Sequence, residues 1–104
     1  MDPLHLTTSS HEDTVTVSVS GELDIATTEL LRAHLFDALE RAGEVVLEVS
    51  GLSFIDAAGL GTLVAIRSRA RLLRTRLLLA GTPPPMARLL RITGLDVHFP
   101  TMTR

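Results

Sequence analysis

The sequence predicts an α/β fold, in which a mixed β-sheet within one domain is connected by helical crossovers. Short apolar segments with strand-like patterns alternate with leucine-rich segments of helical spacing, which gives the predicted order β-β-α-β-α-β-α. Strands joined through a helix run parallel and strands joined by a short turn run antiparallel, so this order implies a mixed sheet. The 104 residues suffice to bury one core, and we assign residues 1–104 to a single domain.

The first two strands are predicted to form an antiparallel hairpin. Leu4–Thr8 is the first strand, and a polar turn follows over Ser9–Asp13. Val15, Val17 and Val19 then alternate strictly with threonine and serine, which indicates a second strand with one buried face. The short polar turn favours antiparallel pairing.

A first helix follows the segment GELD, residues 21–24, which closes the second strand. Thr27 or Thr28 can cap its N-terminus, and Gly43 stops it after about Arg41. The residues predicted to face the sheet share helical spacing. They are Leu30, Leu31, Leu35, Ala38 and Leu39.

The third strand belongs to the central segment EVVLEVSGLSFIDAAGLGTLVAI, residues 44–66. Its first part is a β-branched apolar run typical of a strand buried on both faces. The run comprises Val45, Val46, Leu47 and Val49. Ser50 and Gly51 interrupt it, and apolar residues resume from Leu52 to Ile55.

The second helix is predicted to begin at Ala57. Asp56 is a good N-cap residue, and its carboxylate is expected to accept the amide hydrogen of Ala58 or Gly59. Gly59 and Gly61 each cost about 1 kcal/mol in a helix relative to alanine. Two explanations stay open for that cost: close packing on the strand beneath, or a surface that lets another backbone approach. The helix is predicted to continue through Leu63, Val64, Ile66, Ala70 and Leu73.

The remaining elements follow from an apolar run and three prolines. Leu77–Ala80 is a fourth, buried strand, and the loop of residues 81–85 ends in a proline that suits a first helical turn. The third helix is predicted over Met86–Ile92 and ends at Gly94. Val97–Phe99 is predicted as a last short strand.

Composition excludes several classes of protein. Zero cysteine removes disulfides and thiolate catalysis, and a formal charge of -2 argues against a general nucleic-acid binder. All ten basic residues are arginine, which excludes a P-loop lysine and a lysine Schiff base. No apolar run reaches the roughly 18 residues of a membrane span, and the first residues lack a signal-peptide pattern. We therefore expect a soluble, cytoplasmic chain.

No residue pattern indicates catalysis or metal binding. The four histidines lack the spacing of metal ligands, and no serine lies in a nucleophile-elbow sequence. Asp24 and Asp56 are residue types that could form an acid and base pair, but nothing in the sequence supplies a substrate pocket. We predict that the chain is not an enzyme and needs no metal or cofactor.

Asp24 and Asp56 are expected to lie close together at the carboxyl ends of central strands, where open α/β sheets place their binding sites. Each also has a purely structural explanation. Asp24 can cap the first helix or its preceding turn, and Asp56 can cap the second helix, which contributes about 1 kcal/mol.

Arginines are dense at the end of the second helix. Arg67, Arg71 and Arg74 fall on one helical face near its C-terminus, where cations complement the helix dipole. Contact with an acidic partner or with anionic lipid headgroups is the alternative explanation.

Three segments of the sequence resemble the signature blocks of the STAS domain, the family of sulfate-transporter and anti-sigma-factor antagonist domains. They are GELD at residues 21–24, LSFIDAAGLG at residues 52–61, and PMARLL at residues 85–90 leading to TGL at residues 93–95. The resemblance covers roughly Leu4 to Pro100, and the stand-alone bacterial anti-sigma factor antagonists are the most similar members.

The resemblance implies a function in binding another protein. In the antagonists, a serine directly after the motif aspartate is phosphorylated by a kinase-like anti-sigma factor, and the unphosphorylated form binds that kinase and frees the sigma factor. The resemblance implies that two loop residues, the motif aspartate and the helix start contact the partner here. These are Asp24, Thr27, Asp56, Ala57, Ala58, Gly59, Leu60 and Gly61.

The chain departs from the family directly after Asp56, because the next residue is Ala57. No phosphate acceptor stands at the family position, which suggests constitutive binding. Family members often carry a further C-terminal helix after the segment at residues 93–95, so we expect a less covered sheet edge or partner surface here. Assembly as a homodimer stays open.

Two alternatives to the antagonist function remain. One is a STAS accessory subunit on the cytoplasmic side of a lipid or anion transporter, with the arginines of residues 67–76 facing the membrane or an ATPase subunit. The other, suggested by proposals for the family, is nucleotide binding near the loop at Asp56.

Overall fold

Five strands form one mixed sheet in the computed structural model, which describes residues 3–102. They lie side by side in chain order: β1 (His5–His11), β2 (Thr14–Leu23), β3 (Glu44–Ile55), β4 (Arg76–Ala80) and β5 (Thr101–Met102). β1 pairs with β2 antiparallel, and β2, β3, β4 and β5 pair in parallel. The predicted hairpin and mixed sheet are confirmed.

Three α-helices connect the parallel strands: α1 (Thr28–Arg41), α2 (Ala57–Leu73) and α3 (Pro84–Thr93), the last followed by a 3-10 helix at Leu95–His98. Buried residues of all three α-helices join one hydrophobic cluster with the inward side chains of the sheet. The helices therefore pack on one face, as right-handed crossovers between strands laid in sequence order require. Across residues 3–102, no helix is both long and apolar enough to cross a membrane.

β3 supplies the centre of the core. Val45, Leu47 and Val49 belong to the main cluster under the helices, while Val46 joins Leu78 and Ala80 in a small second cluster. Burying such side chains stabilises the fold by roughly 1.5–3 kcal/mol each. The prediction that this run is buried on both faces is confirmed, although no helix from the described residues contributes to the second cluster.

Two register shifts lengthen β3 relative to β2. One extra residue of β3 lies between residues 48 and 51, and another lies between residues 52 and 54. An extra residue reverses the face to which the later side chains point. Consequently Val49, Leu52 and Ile55, which are spaced by three rather than two, all pack on the main cluster.

The predicted end of the first strand is wrong. β1 continues through Ser9 and Ser10 to His11, so the turn holds only Glu12 and Asp13. Polar side chains on an edge strand project into solvent and leave the backbone free to pair, so they do not end the strand.

The strand predicted over Val97–Phe99 is also wrong. Gly94, with a φ of 76°, ends α3 and leads directly into the 3-10 helix. β5 lies further on at Thr101–Met102, where it pairs with the end of β4.

Two helical details differ from the prediction. Leu30 is 53% exposed, whereas the other predicted inward residues of α1 are buried. α3 begins at Pro84, before the predicted Met86. Proline suits the first turn because the amide that it lacks has no partner within the helix there.

Candidate partner-binding site at the start of α2

The carboxyl ends of β2 and β3 lie side by side, which brings the two predicted aspartates to one edge of the sheet. Leu23 pairs with Ile55, and the amide of Asp56 donates to the carbonyl of Leu23 at 3.3 Å. Asp24 and Asp56 directly follow these paired residues. The structure therefore brings their loops together, as predicted.

Asp24 and Thr27 fix the loop between β2 and α1 through hydrogen bonds to nearby backbone groups. Oδ1 of Asp24 accepts hydrogen bonds from the amides of Ala26 (2.9 Å) and Thr27 (3.2 Å). Oγ1 of Thr27 accepts from the amide of Asp24 (3.0 Å) and donates to the carbonyl of Glu22 (2.9 Å). Thr27 stands at the N-cap position of α1, but its side chain makes no capping bond. These bonds favour the structural explanation for Asp24.

Asp56 caps α2 as predicted. The helix begins at Ala57, and the amide of Gly59 donates to Oδ1 of Asp56 at 2.8 Å. This bond satisfies one of the amides that the first turn of a helix leaves unpaired, and the carboxylate lies at the positive end of the helix dipole.

Replacing the Asp56 cap is expected to lower stability. Asp56→Ala should reduce the free energy of unfolding by about 1 kcal/mol, whereas Asp56→Asn should retain most of it because asparagine also caps. Urea unfolding followed by circular dichroism measures both variants. Equal stability of the alanine and asparagine variants would show that the hydrogen bond to Gly59 contributes nothing.

The two glycines of α2 have different roles. A Cβ on Gly59 would lie 2.7 Å from the carbonyl oxygen of Leu23 and 3.0 Å from Cγ1 of Ile55, whereas a Cβ on Gly61 would meet nothing within 4 Å. Gly59 thus permits close packing of α2 on the sheet. Gly61 lies on the open side of the helix, so close packing explains Gly59 but not Gly61.

The exposed, uncharged part of the first turns of α2 comprises Ala57, Ala58 and Gly61, and we call it the α2-start surface. Ala57 and Gly61 are exposed and Ala58 is half-buried, whereas Gly59 is buried and Leu60 packs partly against the main core. No charged residue occurs between Asp56 and Arg67. Another protein can therefore approach the helix backbone here without desolvating a charged side chain of α2.

Two exposed apolar residues near this edge were not among the predicted site residues. Ile25, in the loop after Asp24, is 80% exposed, and Phe54, two residues before Asp56, is 49% exposed. An isoleucine in a polar loop is a signal visible in the sequence. The outward position of Phe54 was not visible, because it depends on the register shifts in β3.

An open groove of about 290 Å³ adjoins the end of β3. Phe54 and Ile55 line one side, and residues from the start of α3 line the other: Pro83, Pro85, Met86 and Leu89. Its lining is mostly apolar and carries no ionisable side chain, so the groove can take up an apolar side chain.

The two carboxylates of the site make structural hydrogen bonds. Within residues 3–102 no group of three or more metal-ligating side chains occurs, and the carboxylates of Asp24 and Asp56 accept backbone hydrogen bonds. The nearby start of α1 carries a surface ion pair, in which the hydrogen bond from Arg32 lowers the pKa of Glu29 and raises the pKa of Arg32 itself. That pair faces solvent and has no contact with the α2-start surface.

A five-stranded mixed sheet with its helices on one face, and with an exposed helix start beside two loop aspartates, defines a small α/β domain. Residues 5–104 match the family model described as the STAS domain. The chain belongs to the STAS domain family.

Known proteins agree with this assignment. The chain is 30% identical over 102 residues to the anti-sigma F factor antagonist of Paenibacillus polymyxa, and the alignment covers 93% of this chain and 85% of the relative. A crystal structure of an anti-sigma factor antagonist from Mycobacterium paratuberculosis superposes with a TM-score of 0.85 at 27% identity, covering 96% of this chain and 86% of that chain. The phosphorylated form of the Bacillus cell fate determinant SpoIIAA shares the fold, with a TM-score of 0.75 at 22% identity and coverage of 96% and 91%.

Proposed function

We propose that this chain is an anti-sigma factor antagonist that binds a kinase-like anti-sigma factor in the cytoplasm and so releases a sigma factor. The observation that carries the proposal is the similarity to named antagonists over most of both chains. The exposed α2-start surface, which directly follows the motif aspartate, supports it. The proposed contact residues are those expected from the sequence, namely Asp24, Thr27, Asp56, Ala57, Ala58, Gly59, Leu60 and Gly61.

Most of these residues fall into three groups according to their exposure and hydrogen bonds. Ala57, Ala58 and Gly61 are accessible and can touch the partner directly. Gly59 is buried, so it acts by letting α2 sit close to the sheet. Asp24, Thr27 and Asp56 hold the two loops in position through the hydrogen bonds described above.

We further propose that binding is constitutive. A solved relative, SpoIIAA, exists in unphosphorylated and phosphorylated forms, and the family motif places the acceptor serine at the position of Ala57. A phosphate would add about -1.5 to -2 charge to the exposed helix start. Alanine has no oxygen to accept it, so the α2-start surface stays uncharged.

Neighbouring hydroxyl groups already donate to backbone carbonyls. Oγ of Ser53 donates to the carbonyl of Gly21 at 3.2 Å, and Oγ1 of Thr62 donates to the carbonyl of Ala58 at 3.1 Å. The side chain of Thr62 is also buried. Thr62 is therefore a poor substitute for an exposed serine at position 57, whereas Ser53 is exposed and is the position that a phosphorylation assay has to exclude.

A phosphorylation assay tests the constitutive part of the proposal. Incubation with the anti-sigma factors of the source organism and ATP should leave the mass of the wild-type chain unchanged, whereas Ala57→Ser should gain one phosphate. The double variant Ala57→Ser with Ser53→Ala is the matched control, and it should gain the same single phosphate. Stoichiometric phosphate on Ser53 or Thr62 of the wild-type chain would contradict constitutive binding.

A pulldown from the native lysate tests the choice of partner. Recovery of an anti-sigma factor, and its loss upon Ala57→Glu, is the expected result. Recovery of the ATPase of an ABC transporter without an anti-sigma factor would instead identify the chain as an accessory subunit of a transporter, and the antagonist proposal would be wrong.

A further inference from the structure

Charge is divided unequally between the two parts of the chain. Residues 1–56 hold eleven of the twelve acidic residues and two of the ten arginines, whereas residues 57–104 hold eight arginines and a single acidic residue, Asp96. The second part contains α2, β4 and α3. The formal charge of -2 for the whole chain is thus the sum of an acidic and a basic part of the sequence.

Several arginines are neutralised within the fold. Arg32 pairs with Glu29 and Arg41 with Asp37 on α1, and two arginines of the basic part reach carboxylates in the acidic part. Those two contacts are Arg69 with Glu40 at 3.1 Å and Arg76 with Glu44 at 3.6 Å.

Two arginines of α2, and Arg74 at its C-cap, remain without such a partner. Among the described residues, no carboxylate lies within salt-bridge distance of Arg67, Arg71 or Arg74. Arg71 and Arg74 are exposed, and Arg67 uses Nε to bind the carbonyl of His98 at 3.1 Å. Three positive charges therefore project from adjacent turns at the end of α2.

Apolar side chains lie among these arginines. Leu72 is 77% exposed and shares a shallow surface hollow with Arg67, Ser68 and Arg71. Val97, also 77% exposed, precedes the residue that Arg67 holds against α2. Complementarity to the helix dipole explains cations at a helix C-terminus, but it does not explain an exposed leucine between them.

We propose that this surface, formed by Arg67, Ser68, Arg71, Leu72 and Arg74 with Val97 beside it, binds an acidic protein segment that carries an aliphatic side chain. Guanidinium groups form paired hydrogen bonds with carboxylates, and Leu72 offers the apolar contact between them. An anionic membrane is disfavoured as the occupant because the surface lacks the aromatic residues typical of interfacial binding.

This surface is separate from the α2-start surface. Gly61 and Arg67, the nearest residues of the two surfaces, are six residues apart on one helix, which corresponds to about 9 Å along the axis at about 1.5 Å per residue. The two surfaces share no residue, and the inference does not depend on the proposed function.

A peptide-binding assay tests the proposal. The probe is a fluorescein-labelled peptide of ten glutamates with two central leucines, titrated with the full chain at low salt and followed by anisotropy. Arg71→Glu should weaken binding about tenfold, and Leu72→Ser should weaken it severalfold. Arg91→Glu on α3 changes the net charge by the same amount at another exposed arginine and should leave affinity within about twofold.

The peptide titration, together with vesicle binding and sedimentation velocity, also distinguishes the other possible occupants of the surface. Equal weakening by Arg71→Glu and Arg91→Glu would reduce the effect to net charge and overturn the proposal. Binding to phosphatidylserine vesicles but not to the peptide would overturn it in favour of a membrane. Salt-sensitive self-association in sedimentation velocity that Arg71→Glu abolishes, without peptide binding, would overturn it in favour of a second copy of the chain.

Discussion

Ala57→Glu is expected to weaken binding of the proposed anti-sigma factor partner about 30-fold or more. The substitution places a fixed negative charge on the α2-start surface, where it would be buried against the partner without a cation from this chain. An unpaired interfacial charge costs about 2–5 kcal/mol, and each 1.4 kcal/mol corresponds to about tenfold in affinity. Isothermal titration calorimetry with the purified partner measures the loss.

Folding should survive the Ala57→Glu substitution, which separates its effect from denaturation. An acidic residue in the first turn of a helix is stabilising by about 0.3–1 kcal/mol, so the unfolding midpoint should stay the same or rise slightly. Ala33→Glu makes the same chemical change at an exposed position of α1, and it should bind as the wild type does. Unchanged affinity of the Ala57→Glu variant would place the interface elsewhere on the molecule.

Gly59→Ala is expected to destabilise the fold by roughly 1 kcal/mol net. The added Cβ would lie 2.7 Å from the carbonyl oxygen of Leu23, and that oxygen cannot yield easily because it accepts the amide of Asp56. Overpacking of this kind costs about 1–3 kcal/mol, which exceeds the helix propensity gained.

Gly61→Ala is the matched control for Gly59→Ala. Nothing lies within 4 Å of the position that its added Cβ would take, so only the gain in helix propensity remains, and stability should rise by about 0.5–1 kcal/mol. Thermal and urea unfolding of both variants measure the difference. Equal changes in the two variants would contradict the assignment of Gly59 to helix-on-sheet packing.

The sequence predicted best those features that depend on local chemistry. The strict alternation in β2 and the apolar run in β3 correspond to the observed strands. Asp56 caps α2 at the predicted residue, because an N-cap needs only a short acceptor and the amides that follow it. The adjacency of the loops at Asp24 and Asp56 followed from topology, because parallel neighbours end at the same edge of a sheet.

Features set by packing between elements were not predictable from the sequence. Leu30 fits the apolar stripe of α1 by spacing, yet it is 53% exposed, because the rotation of a helix about its axis depends on what it packs against. The separate roles of Gly59 and Gly61 required the position of the sheet beneath α2. The predicted contacts of the site residues with a partner stay predictions.

The lengthening of β3 within residues 48–54 suggests how this family can and cannot vary. A substitution there alters one side chain. A deletion of one residue would instead turn the later side chains of β3 from the core to solvent and from solvent to the core. It would also move Asp56, and with it the start of α2. Gain or loss of a single codon in this stretch should therefore be rarer among functional relatives than replacement of any one amino acid within it.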